Sequence, residues 1–308
     1  MSSHLLKSFQ LNNRVLMPSV GLGTYRVRDE AELPKILQCA LDSGYRLIDT
    51  AQVYRNEAAI GNFLHKKFTD PSCSLVREDI FITSKLAPAN QGYDACYKSI
   101  CDSLSALKVD YIDLFLIHWP GTQGVKRDDS ATNAKNRAES WRAMEQAYRE
   151  NKVRAIGVSN YTTSHMQELL ETCQVQPALN QVELHPFYPQ NELHQLCSKS
   201  NVLIQAYSSF GEGSLLNPSS VHHQTLVQRI MQKVPDFNSQ HLPHHLLHWA
   251  LARNISVIPK STTPGRIASN FEVFNVPVDK KIRDVMDQLL SDGLVKPIKF
   301  CWDPLSIS

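Results

Sequence analysis

The chain has 308 residues, 42% of them apolar and 20% charged, a composition that supports a large packed core and argues against disorder as the main state. Its 32 basic and 30 acidic residues leave a net charge of +2, which gives no basic footprint for a nucleic acid or a membrane surface. The length leaves room for two domains, but α/β barrels of this size are commonly one, and residues 1–308 read as a single domain.

Residues 1–10 lack the apolar core of a signal peptide, and no run of about 18 apolar residues predicts a membrane span. The seven cysteines, at 39, 73, 96, 101, 173, 197 and 301, form no CxxC pair. They read as free thiols of a reducing, cytoplasmic compartment. Segment 8–18 predicts a β-hairpin turning at Asn12-Asn13. Short runs rich in Val, Ile and Leu then recur at 19–23, 46–50, 80–85, 112–118, 155–159, 178–183, 203–207 and 257–260. They lack clean polar alternation, as parallel strands covered on both faces do. Amphipathic stretches lie between them. In 31–43, Leu33, Ile36, Leu37, Ala40 and Leu41 fall at helical spacing, and Gly44 stands at the C′ position. Segments 93–107, 139–150, 164–172 and 192–200 read as helices too.

Eight strands alternating with helices predict an α/β fold, a (β/α)8 TIM barrel with an N-terminal β-hairpin. The competitor is a doubly wound open sheet. Against it, Gly21-Leu22-Gly23-Thr24-Tyr25-Arg26 lacks the third glycine of a dinucleotide fingerprint, and no clear helix start follows.

A barrel builds its site at the C-terminal ends of its strands. There the sequence places Asp49-Thr50, Lys85, His118, Ser159-Asn160, Gln181, Glu183, Tyr207-Ser208 and Lys260-Ser261, with Tyr54 in the loop after Asp49. Taken singly, each is more often a solvated cap or a structural group. Their convergence on one face is what points to a pocket. No HxH, HExxH or acidic cluster offers metal-ligand spacing, so no metal is expected, and no GxSxG elbow is present. A Tyr, a Lys, an Asp and a His remain. A phenol beside an ammonium is expected to lose pKa, from about 10 toward neutrality. Tyr54 would then donate a proton to a carbonyl oxygen as a hydride arrives. Asp49 would hold Lys85 charged, and His118 would donate a hydrogen bond to the same oxygen.

At this point the chain resembles the aldo-keto reductases of the aldose reductase-like kind. Gly44-Tyr45-Arg46-Leu47-Ile48-Asp49-Thr50-Ala51, with Tyr54, Asn56 and Glu57, is similar to that family's first signature. Segments 80–85 and 111–120 resemble its motifs on the third and fourth strands. Trp141, Lys152-Val153-Arg154-Ala155-Ile156-Gly157-Val158-Ser159-Asn160, Asn180-Gln181-Val182-Glu183-Leu184-His185-Pro186 and Ile258-Pro259-Lys260-Ser261 complete the likeness, which runs from about residue 14 to 304.

The resemblance implies NADPH/NADP+ bound in extended form without a Rossmann domain. It implies that Ser159, Asn160 and Gln181 hold the nicotinamide carboxamide and that Tyr207 stacks on the ring. Ser208 and Phe210 would lie along the pyrophosphate, and Thr24 and Asp49 near the nicotinamide ribose. Lys260, Ser261 and Arg266 match the family's ligands for the 2′-phosphate, and two cations with a hydroxyl do suit a dianion. Asn270 falls at the adenosine end. Tyr25, His118, Trp119 and Trp302 are the candidate substrate contacts.

Some positions depart from the usual pattern. Tyr25 stands where many relatives have Trp, Ser269 replaces a common Glu, 216–243 is longer than in compact relatives, and the tail after Lys296 is short. Six of the twelve histidines fall between 222 and 248 and read as a packed or exposed helix face, not a metal site. The resemblance alone points to a monomer acting on a small carbonyl compound. Two functions stay open: reduction of aldehydes or ketones to alcohols, and a regulatory NADP(H)-binding module of the same fold with vestigial catalysis. A Schiff-base aldolase using Lys85 is a third, opposed by Asp49, which keeps that amine protonated.

Overall fold

The computed structural model describes residues 7–277 and 279–308; the first six residues, part of the stretch read for a leader, lie outside them. Strands β1 (Ser8–Gln10) and β2 (Leu16–Pro18) pair antiparallel as the expected hairpin. At its tip, Asn12 and Asn13 donate side-chain N–H groups to the carbonyls of Pro177 (2.9 Å) and Arg154 (2.7 Å). Those carbonyls just precede two later strands, so the hairpin is bolted across one end of the main sheet.

That sheet contains β3 (Leu22–Gly23), β4 (Leu47–Asp49), β5 (Phe81–Leu86), β6 (Leu114–Ile117), β7 (Ile156–Ser159), β8 (Leu179–Glu183), β9 (Leu203–Tyr207) and β10 (Ser256–Val257). Neighbours in chain order pair in parallel. The sheet closes where Val20 bridges Val257 and where the Gly21 N–H donates to the Val257 carbonyl at 2.9 Å. The first and last strands are shorter than 19–23 and 257–260 because this seam is a bridge and a few bonds, not a full ladder.

Around the sheet lie α1 (Leu33–Asp42), α2 (Glu57–Thr69), α3 (Tyr93–Leu107), α4 (Ser130–Arg149), α5 (Thr163–Thr172), α6 (Asn191–Lys199), α7 (Val221–Met231), α8 (Leu242–Leu251), α9 (Pro264–Phe271) and α10 (Lys280–Asp287). Among the described residues, none is long and apolar enough to cross a membrane. Helix α4 starts at Ser130, well before the expected 139, because Asp129 caps it by accepting the Thr132 N–H at 3.1 Å. Its early turns show no apolar stripe because the buried face there is polar. Asn133 and Arg137 are buried, and Arg137 pairs with Glu168 at 2.8 Å. The long stretch 216–243 contains α7, which the sequence pattern did not predict.

Inward positions alternate along each strand. Near the base they are Leu47, Phe81, Leu114, Leu116 and Leu179, packed with Leu11 and Met17 of the hairpin into a compact apolar plug. Gly157 stands on the same face, where a Cβ would come within 2.5 Å of the Leu179 carbonyl oxygen. Outward positions, among them Ile48, Ile82, Phe115, Ile117, Ile156, Val158, Val182 and Ile204, pack beneath the helices. A fully buried residue of this kind contributes about 2 kcal/mol. Two residues above the plug, or four on β5 where Thr83 intervenes, the side chains on the same inward faces become Asp49, Lys85, His118, Ser159, Gln181 and Gln205.

The base is tied by one buried carboxylate. Asp113 accepts from Arg77 (2.7 Å), from Arg154 (2.7 Å) and from the Ile82 N–H (2.9 Å). It joins the starts of β5, β6 and β7. Asp113→Ala is expected to cost about 3 kcal/mol or more, since cations built around a buried anion lose it together. Urea denaturation measures this, and an unchanged midpoint would rule the account out.

Candidate active site

Asp49 ends β4 and Lys85 lies on β5 beside it. The Lys85 ammonium stands 2.6 Å from Asp49 Oδ1 and also donates to the Thr50 carbonyl (2.9 Å) and to the Tyr54 hydroxyl (3.4 Å). Lys85 is 0% exposed and Asp49 2%. Tyr54 is presented by a short 3-10 turn, Gln52–Tyr54. Gln52 fixes that turn by donating to the Ser99 carbonyl on α3 and accepting the Ala87 N–H, both at 2.9 Å. Arg55 ends the turn in the left-handed region, at φ 59°. Asn56 then donates to the carbonyls of Thr24 (3.1 Å) and Val27 (3.0 Å). The Tyr54 ring sits between Tyr25, with centroids 5.2 Å apart, and His118, at 5.6 Å and 76°.

Burial raises the Tyr54 pKa well above the usual value, and the negative charge of Asp49 adds to it. This overturns the expectation that Lys85 pulls it toward neutrality. Asp49 already neutralises that ammonium at 2.6 Å, so the phenol faces an ion pair in a dry site and desolvation wins. Burial also pushes the Lys85 pKa down, with Asp49 opposing. Burial, and then the Lys85 charge, hold His118 well below its usual pKa. The floor of the site therefore offers a neutral phenol and a neutral imidazole, both able to donate to one oxygen.

A cavity of about 720 Å³ opens above them. Of the residues expected at the site, Tyr25, Asp49, Tyr54, His118, Ser159, Asn160, Gln181, Tyr207, Ser208, Phe210, Lys260, Ser261, Arg266, Asn270 and Trp302 line it. Lys85 lies one layer below. Thr24 is also buried and uses its hydroxyl on the Asp49 carbonyl at 2.8 Å. Trp119 is outside the lining: its carbonyl accepts from Gln91 at 2.7 Å and its indole packs beside Gly121.

The middle of the cavity is a polar shelf. Ser159 Oγ donates to the Gln181 carbonyl (2.8 Å), Asn160 Nδ2 to the His118 carbonyl (3.0 Å), and the Tyr207 hydroxyl to Asn160 Oδ1 (2.6 Å). Asn160 and Ser208 both take left-handed backbone, at φ 63° and 49°. At the far end Lys260 and Arg266 are exposed and, among the described residues, have no carboxylate partner. Ser269 lies 3.1 Å from His244 Nε2, so this end of the cavity is backed by a buried imidazole. Among the described residues, no three His, Cys, Asp or Glu side chains converge as a metal site.

Sequence reasoning left two groups without a role. Glu183 is fully buried and accepts the backbone N–H groups of Phe300 (2.6 Å) and Cys301 (3.1 Å) as well as the Lys299 ammonium. Burial opposes its charge, but hydrogen bonds from His185 and Lys299 hold its pKa at about 2. This grip lays the tail over the cavity mouth, where Trp302 meets Tyr25 edge-on at 5.6 Å and Cys301 Sγ stands 3.1 Å from Ser208 Oγ. The only sequence signal was an acid at a strand end. The second group is Gln205, inside β9, which carried none.

The Tyr54 assignment predicts a measurable silence. Ultraviolet difference titration of the ligand-free protein against Tyr54→Phe should show no phenolate from this residue up to about pH 10, where a free tyrosine is half ionised. A phenolate forming near neutrality would refute the desolvated phenol.

The Aldo/keto reductase family profile matches residues 19–291. A glyoxal reductase of Bacillus subtilis is 33% identical over 297 residues, spanning 96% of this chain and 98% of that protein. A 9,11-endoperoxide prostaglandin H2 reductase of Trypanosoma cruzi is 34% identical, spanning 92% of this chain and 91% of its own. A Bombyx mori aldo-keto reductase solved in complex with NADP superposes with a TM-score of 0.76 at 27% identity, over 94% of this chain and 97% of that one.

Proposed function

Since this chain belongs to the aldo/keto reductase family, we propose that it reduces aldehydes or ketones to alcohols with NADPH, Tyr54 delivering the proton. One observation carries this reading. A buried Lys85–Asp49 pair holds a phenol beside a neutral imidazole at one end of a cavity whose other end has two cations without acidic partners among the described residues.

The cavity suits an extended dinucleotide phosphate. Lys260, Arg266 and Ser261 would take the 2′-phosphate, with Asn270 and Ser269 beside the adenosine. Ser208 and Phe210 would flank the pyrophosphate, Tyr207 the nicotinamide ring, and Ser159, Asn160 and Gln181 its carboxamide. When bound, NADPH supplies the hydride. The relative solved with NADP supports this choice of cofactor.

The carbonyl oxygen would sit between the Tyr54 hydroxyl and the His118 ring. Hydrogen bonds from both favour the negative charge that grows on that oxygen in the transition state. Tyr54 then transfers its proton to the oxygen, and the ammonium of Lys85, 3.4 Å away, stabilises the phenolate left behind. The raised pKa keeps the phenol protonated through neutral pH, the state that reduction requires. Asp49 keeps Lys85 in place during this charge change. The intact quartet favours turnover over a purely regulatory role.

The direct test is NADPH oxidation with a panel of carbonyl compounds, headed by glyoxal because a glyoxal reductase is among the relatives. No turnover on any of them despite tight NADPH binding would sink the proposal. Tyr54→Phe should lower kcat by about 10²- to 10⁴-fold while NADPH affinity stays near wild type; retained turnover would remove Tyr54 as the acid. Lys260→Ala with Arg266→Ala should narrow the preference for NADPH over NADH by about tenfold or more, as lost charge-assisted bonds do. An unchanged ratio would place the phosphate elsewhere.

A further inference from the structure

Gln205 lies inside the barrel on β9 and is 0% exposed. A glutamine buried this way is costly unless both ends of its amide find partners. Here both do. Its Nε2 donates to Ser256 Oγ on β10 at 3.1 Å, and its Oε1 accepts from Gln181 Nε2 on β8 at 2.7 Å. Gln181 Nε2 carries two hydrogens, and the other goes to Asp49 Oδ2 at 2.7 Å. A row of hydrogen bonds thus crosses the barrel, with Gln181 on β8 donating one way to the carboxylate that holds Lys85 and the other way to Gln205 on β9, which donates on to Ser256 on β10.

The orientation of Gln181 in this row has a consequence at the cavity, which it lines. Turning the Gln181 amide over would set its oxygen against Gln205 Oε1 and the Asp49 carboxylate. Such a clash of partial negative charges is severe in a dry site. The amide is therefore locked, and Oε1 is its remaining polar atom. Among the described residues that oxygen accepts no hydrogen bond. An unused acceptor at this place suits an N–H₂ donor.

We propose that Gln205 is a positioning residue for the cofactor. By accepting from Gln181 Nε2 it keeps the Gln181 carbonyl oxygen available to the cavity, where it selects the N–H₂ end of the nicotinamide carboxamide. The inference rests on the NADPH reading above and adds a residue that does not touch the cofactor itself.

The test reads equilibrium binding, not turnover. Calorimetry would give dissociation constants for NADP+, for its 3-acetylpyridine analogue, in which a methyl group replaces the amide N–H₂, and for adenosine 2′,5′-bisphosphate. Gln205→Met keeps the shape and removes both polar ends. It should weaken NADP+ binding by about tenfold, the scale of one lost buried hydrogen bond. The wild-type preference for NADP+ over the acetylpyridine analogue should shrink by a similar factor, and the bisphosphate should bind as before. Gln205→Glu offers Gln181 an acceptor in either protonation state and should return NADP+ binding to within about threefold of wild type.

The proposal is overturned if Gln205→Met binds NADP+ normally or if the preference over the analogue is unchanged. It is overturned too if bisphosphate binding falls equally, or if Gln205→Glu behaves like Gln205→Met. Wild-type protein that binds neither NADP+ nor the bisphosphate would remove the cofactor reading itself, and this proposal with it.

Discussion

The ion pair between Lys85 and Asp49 is the constraint around which the upper half of the barrel is arranged. Removing two charges from water costs several kcal/mol per ion, and attraction at 2.6 Å repays this only when the remaining hydrogen-bonding capacity is also used. The fold supplies those partners from several directions. The Thr50 carbonyl and the Tyr54 hydroxyl accept from the ammonium, and Gln181 donates to the second carboxylate oxygen. They come from the loop after β4 and from β8. The pair therefore reports whether the strands are in register, and Tyr54 takes its electrostatic setting from a group that is itself almost neutral overall.

The barrel interior is divided along its axis. Below, leucines and Phe81 meet the hairpin residues Leu11 and Met17 and exclude water. Above, the same inward positions carry acids, amides and a lysine. Both halves follow from the two-residue period of a strand, which returns each inward face after one outward step. The plug makes the low-dielectric floor on which the site stands. That floor raises the pKa of Tyr54 and lowers that of His118, so apolar packing below directly sets the protonation state of the groups above.

Much of this was legible in the sequence for a physical reason. Parallel strands buried on both faces must be apolar along their length, so polar residues at their ends stand out. Asp49, Lys85, His118, Ser159, Gln181 and Tyr207 were found that way. What stayed hidden depends on contacts between distant residues. The direction of the Tyr54 shift turned on how closely Asp49 cancels Lys85, which spacing does not reveal. Trp119 follows His118 in sequence yet does not line the cavity, its indole lying beside Gly121. Helix α4 escaped in its first turns because Asn133 and Arg137 are buried through polar partners, which breaks the link between apolar spacing and burial. Gln205 lies mid-strand, where an amide has meaning only through Gln181 and Ser256.

The tail over the cavity mouth is anchored by Glu183 through the backbone of Phe300 and Cys301. Backbone N–H groups are present whatever side chains follow them. The anchor is thus indifferent to most substitutions at the very positions that form the roof, Cys301 and Trp302. Mutation can redraw the roof while the attachment point, and the Lys85–Asp49 floor below it, stay constant. The architecture ties a roof whose side chains are free to vary to an anchor that such substitutions leave in place.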